Sequence, residues 1–231
     1  MDKVIKVTGK GKVSVKPDLI RIRIEIEGTE NDYEKAVKAS TEATSEVKDS
    51  LVKVGFDSDE VKTLNYSIQT TYESYQTRDR SWRRRFVGYE YNHKLKLEFA
   101  LDNEKLGQVL YAIAHCNTKP EFSIEYTVSD PETAKDELLK NAISDSKHKA
   151  ELLAEASGLS LDEIQSINYS WGEIEFISRP FADIVNNTDC DEDCDYDEPC
   201  CLSPVPQGYG MDVNPDDIDV SDTVTVIWSM K

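Results

Sequence analysis

In LIRIRIEIEG, residues 19–28, Ile20, Ile22, Ile24 and Ile26 alternate with Arg21, Arg23, Glu25 and Glu27. Successive side chains of a strand point to opposite faces, so a period of two predicts isoleucines buried and charges in water. Upstream, KVIKVTGKGKVSVKPD predicts shorter strands broken at Gly9 and Gly11, with GKGK as a turn. Residues 31–55 then change to helical spacing. Val37, Thr44, Val47, Leu51 and Val54 share a stripe, Asn31 with Glu34 offers a capping box, and Gly55 a stop.

Next, VKTLNYSIQTTYESY and RFVGYEYNHKLKLEFAL predict a long hairpin around a basic tip, with Tyr89, Tyr91, Leu95, Leu97 and Phe99 near period two. DNEKLGQVLYAIAHC predicts a second helix, and EFSIEYTVS a strand alternating at Phe122, Ile124, Tyr126 and Val128. The longest helix is expected over residues 131–157, capped by Asp130, opened by Pro131 and ended by Gly158. At 1.5 Å per residue it would span about 40 Å. Leu138, Ala142, Ala150 and Leu153 mark its inner side. A strand in EIQSINYSW, an extension GEIEFISRPF and a closing strand DTVTVIWSM complete the chain. The expected fold class is α+β, an antiparallel sheet packed against helices in a single domain over residues 1–231. Residues 183–212 form an acidic, cysteine-rich loop inserted before the last strand.

Several of these motifs resemble the SIMPL-domain family, also catalogued as a domain of unknown function. They are the opening Gly9, Gly11, Pro17 and Asp18 before an alternating strand, then Gly88, Tyr89 and Asn92 in VGYEYNHKLKLEF. The helix AISDSKHKAELLAEASGLSLDEIQSI with its Gly158-Leu159 stop, and the final VTVIW, extend the resemblance over nearly the whole chain. It implies an α+β fold, larger assemblies, and links to bacterial oxidative-stress defence and outer-surface proteins, with an animal namesake tied to kinase signalling. It implies no catalytic residue.

Charge changes the picture more than composition does. The formal net charge is −18, yet residues 183–222 alone hold thirteen acids and no Lys or Arg. Such a field disfavours nonspecific binding to DNA or anionic membranes. The N-terminal MDKVIKVTGKGKVSV has no apolar core of a secretory signal, and no apolar run is long enough to span a membrane. A cytoplasmic setting with reduced thiols is therefore expected, with unconventional export as the alternative.

Four of the five cysteines, Cys190, Cys194, Cys200 and Cys201, sit in TDCDEDCDYDEPCC. Four thiolates can surround zinc at about 2.3 Å, although only Cys190 and Cys194 have knuckle spacing and the neighbouring acids oppose thiolate formation. Asp189, Asp191, Asp193, Asp195 and Asp197 suggest calcium, but Cys194 and Cys200 stand where an EF-hand loop needs Gly and Glu. A redox-sensing segment and a plain solvated loop are the other readings. The odd thiol, Cys116, lies apart. No cofactor is expected unless zinc binds this loop.

The second feature is RDRSWRRRF, where Arg78, Arg80, Arg83, Arg84 and Arg85 surround Trp82 and outweigh one Asp. Arginine interleaved with aromatics suits single-stranded nucleic acid, which the chain's overall charge disfavours. Pairing with the acidic loop, in the same chain or a neighbouring copy, fits better. His93, His115 and His148 lie far apart with no metal or triad spacing, and no G-x-S-x-G occurs. The expectation is a non-enzymatic scaffold or interaction module forming homo-oligomers. The alternative is a metal-binding or redox-responsive protein acting through Cys190–Cys201.

Overall fold

The computed structural model describes residues 3–77, 80–169, 174–179, 210 and 213–231. The chain divides into two compact units. The first comprises Met1–Asp18, Tyr126–Ser178 and Pro215–Lys231, and the second Leu19–Glu125 and Arg179–Asn214. Antiparallel sheets with helices confirm the α+β class.

In the first unit, β1 (Lys3–Val15), β8 (Ile218–Met230) and β6 (Leu161–Tyr169) form a sheet in the order β1-β8-β6. The pairing of β1 with β8 is antiparallel and unbroken from Lys3↔Met230 to Val15↔Ile218. The expected break at Gly9 and Gly11 is thus corrected, because GKGK is strand and not a turn. Its glycines serve a close approach by α3 (Pro131–Ala156). A Cβ on Gly9 would lie 2.0 Å from the Ala142 carbonyl oxygen, and one on Gly11 2.1 Å from that of Leu138.

This approach explains the helix face. The buried residues of α3 are Ala134, Leu138, Ala142, Ser146, Ala150 and Ala154, mostly small and four apart. Leu153, expected inside, is 50% exposed. A backbone lying this close admits alanine where leucine would overpack. The helix ends agree with expectation, since Asp130 accepts from the Thr133 N–H and Pro131 opens the first turn. Val7, Val224, Val226 and Trp228 pack against Ala142 and Ala150, while Val128, Ala134, Phe176 and Ile218 form a second cluster.

In the second unit, β3 (Lys62–Gln76), β4 (Trp82–Ala100), β2 (Leu19–Glu30) and β5 (Glu121–Thr127) lie in that order. The last two residues of β5, Tyr126 and Thr127, belong to the first unit and pair with β7 (Ile177–Ser178). Ile20, Ile22, Ile24 and Ile26 are fully buried. Each contributes roughly 1.5–3 kcal/mol of transfer free energy. Facing them is α1 (Tyr33–Lys53), which packs on β2 and β4 and against α2 (Asn103–Ala114).

The expected cap of α1 moves by one residue. Asp32, not Asn31, accepts from the Glu34 N–H. Its buried stripe is Ala36, Ser40, Ala43, Val47 and Leu51, so Val37 and Thr44 fall to its edge. Gly55 and Gly158 take positive φ after their helices. Tyr91, Leu95, Leu97 and Phe99 are buried as the hairpin pattern predicts, whereas Phe122 is 44% exposed.

Candidate functional site

The hairpin β3–β4 outgrows its sheet. The pairing of β2 with β4 ends at Glu30↔Tyr89, so residues 82–88 of β4 pair with β3 alone. The register runs from Thr71↔Gly88 through Tyr72↔Phe86 to Gln76↔Trp82, with an irregularity at Tyr72 that leaves Val87 out of step. Residues 81–87 and 72–76 are all exposed. A two-stranded ribbon has no core of its own, so side-chain pairs across it must hold it.

Those pairs are present. Alternation places Trp82, Arg84 and Phe86 on one face, with Tyr72 opposite Phe86. The Tyr72 and Phe86 ring centroids are 5.7 Å apart, and Arg84 lies over the Tyr72 ring at 5.3 Å. Phe86 contacts Tyr89 at 5.4 Å, and Tyr89 contacts Tyr33 at 5.6 Å, which anchors the row at the start of α1. On the other face Arg83 lies opposite Tyr75, and Arg85 donates to Glu73 at 2.7 Å. Arg80 takes φ 63° in the turn, where Thr77 N–H donates to the Ser81 carbonyl at 2.9 Å.

The arm therefore brings Arg80, Trp82, Arg83, Arg84 and Arg85 together on one ribbon, as the sequence groups them. Arg78 lies outside the described residues, as do Cys190, Cys194, Cys200 and Cys201. Trp82 is 70% exposed, and Tyr72, Tyr75 and Phe86 also reach solvent. Tyr72 and Tyr75 were not singled out in the sequence. Their signal was the run of tyrosines on β3, whose placement depends on where β2 stops. Chemically the arm offers aromatic faces and guanidinium forks, the tools of docking.

A second constellation lies on β2, β4 and β5. Glu125, its side chain only 3% exposed, accepts from Arg23 Nε at 3.0 Å and from Arg179 Nε at 2.8 Å. Arg21 Nη1 is 3.9 Å away, and its Nε donates to Glu98 at 2.6 Å. The charges of β2, expected simply in water, are tied across the sheet instead. Burial pushes the Glu98 carboxyl up, but bonds from Lys96 and Arg21 outweigh it and hold it below the ordinary value. Further along, Asn92 bridges Glu25 and Glu27. Hydrogen bonding from Lys94 lowers Glu25, while the hydrogen bond shared with Glu25 raises Glu27.

The histidines stay apart. His93 sits on a sheet between Thr44 and Thr63, His115 closes α2 with Nδ1 2.8 Å from the Tyr111 carbonyl, and His148 is exposed. Cys116 is a buried free thiol. Among the described residues, no three His, Cys, Asp or Glu side chains gather to hold a metal, and no helix is long and apolar enough to cross a membrane.

Known proteins match this sequence over most of its length. The chain is 23% identical over 176 residues to the 26 kDa periplasmic immunogenic protein of Brucella melitensis, covering 76% of this chain and 67% of that one. The same protein of Brucella abortus matches equally. Uncharacterized protein YggE of Edwardsiella ictaluri is 23% identical over 165 residues, 71% of this chain and 67% of its own. The family model for SIMPL, described as a protein of unknown function (DUF541), matches residues 5–228. With a match that runs from the opening strand through the hairpin and the long helix into the closing strand, the chain belongs to the SIMPL family.

Proposed function

We propose that this chain is a non-enzymatic scaffold that associates with copies of itself, with the β3–β4 arm as its contact surface. The observation that carries this reading is a ribbon exposed on both faces that presents Trp82, Phe86, Tyr72 and Tyr75 among arginines. Trp, Tyr and Arg are the residues in which binding energy concentrates at protein interfaces. The acidic stretch of residues 183–222 supplies matching charge on a neighbouring copy. A specific contact of this kind buries on the order of 1,000 Å² or more.

Light scattering behind size exclusion tests the idea. The wild type should run well above its 26.2 kDa chain mass. Reversing Arg83, Arg84 and Arg85 to Glu, or replacing Trp82 with Ala, should lower that mass. A wild type that stays at 26.2 kDa at high concentration would refute the scaffold.

The setting bears on the cysteines. Two relatives are named as periplasmic proteins, and we read this chain too as acting outside the cytoplasm, against the expectation drawn from its first residues. Protease accessibility on intact cells tests that. The grouping of Cys190, Cys194, Cys200 and Cys201 within twelve residues supports a second reading, a metal-binding or redox segment. Elemental analysis should find about one zinc per chain, lost in Cys190→Ser with Cys194→Ser, on the four-ligand rule. Metal-free protein with all five thiols titratable would dismiss it.

A further inference from the structure

We infer that Arg23 and Arg179 form a binding site for a phosphate-type oxyanion, with buried Glu125 as the residue that positions them. All three belong to the second unit. Glu125 takes one guanidinium on each oxygen, Arg23 on Oε2 and Arg179 on Oε1, in both cases through Nε. Nε is the guanidinium nitrogen nearest the backbone, and using it leaves both terminal nitrogens unspent among the described residues. The Arg23 and Arg179 side chains keep 41% and 52% exposure, and neither has another carboxylate within 4.0 Å among the described residues. Two forks are thus anchored at their roots by one carboxylate, with their donor ends in reach of solvent.

The local charge agrees. Arg21, Arg23, Arg179 and Lys96 face Glu98 and Glu125, an excess of two positive charges in a chain whose net charge is −18. Arg21 bonds Glu98 through Nε but is only 22% exposed, and Lys96 also bonds Glu98, so the donors most open to solvent are those of Arg23 and Arg179. A phosphate group matches both the charge and the donors. Its tetrahedral oxygens can accept from two guanidiniums at once. The neighbouring cavity of about 200 Å³ beside Arg23 is not the site, because Glu25 and Glu121 line it. Holding both guanidiniums beforehand removes much of the ordering that binding would otherwise require.

Calorimetric titration of inorganic phosphate into the full chain, in low-salt chloride buffer, tests the site. The wild type should bind saturably. Arg179→Ala should weaken binding roughly tenfold to a hundredfold, the usual loss for a charge-assisted contact. Arg23→Lys keeps the charge but loses the fork, and should also weaken binding. Arg83→Ala, on the arm, should bind as the wild type does. A parallel titration with glycerol 3-phosphate separates sources: tighter binding of the ester assigns a phosphorylated small molecule, tighter binding of phosphate the free ion. No saturable binding of either anion, or wild-type affinity in both Arg179→Ala and Arg23→Lys, overturns the proposal.

Discussion

His93 is held between two hydroxyls, with Nδ1 2.8 Å from Thr44 Oγ1 and Nε2 3.0 Å from Thr63 Oγ1. Thr44 donates its own proton to the Ser40 carbonyl, so Nδ1 carries the imidazole proton and Nε2 accepts from Thr63. Burial, and then the charge of Lys48, lowers the His93 pKa. A histidine that resists protonation when folded lets the unfolded chain bind more protons in acid. Its contribution to stability is whole above the unfolded value near 6.5 and is lost as pH falls below it. The denaturation midpoint should therefore decline from pH 7.5 to 5.5, and less so in His93→Gln. An equal decline in both proteins would rule this source out. The lowered carboxyls of Glu98, Glu46 and Asp130 act in a separate, more acidic window. The sheet position of His93 was legible, since its strand alternates. The Glu125 cluster was not, because alternation assigns a face and cannot pair Arg23 with a carboxylate 102 residues away.

For the elements, the ends of α3 were readable because caps are local chemistry, and its face was readable at Leu138, Ala142 and Ala150 but not at Leu153. Leucines ordinarily mark the inside of a helix, but here the neighbouring strand supplies Gly9 and Gly11 and comes so close that, Leu138 apart, small residues fill the face. Gly9→Ala should destabilise by about 1–3 kcal/mol or more, since its Cβ would meet backbone and the obstacle cannot rotate away. Leu153→Ala should change stability by less than about 0.5 kcal/mol, as for most exposed sites. Asp130→Ala should destabilise less than Gly9→Ala but more than Leu153→Ala, through the lost cap. Chemical denaturation of the three variants measures this order, and a Leu153→Ala as damaging as Gly9→Ala would contradict the assigned face.

At the scale of the molecule, the two units draw on stretches far apart in sequence, with the first and last strands paired through thirteen partners. No local pattern announces such a closure, because each strand reads alike whichever neighbour it takes. Charge was legible at this scale from counting alone. If arginines of the arm meet the acidic stretch of another copy, raising salt from 0.05 to 0.5 M should dissociate the assembly, because the Debye length shrinks several-fold over that range. Mass that holds constant across the range would point to the aromatic face as the main contact.

The nineteen-residue strand β4 has one end in a packed sheet and the other in a bare ribbon. A single stretch of backbone thus passes between two regimes of protection. Amide protons near Leu95 and Leu97 should exchange with deuterium only through large openings, and those near Arg83 and Arg85 through fraying of the tip. The strand is a built-in gauge. Whatever clasps the free end will slow exchange there and leave the other end unchanged.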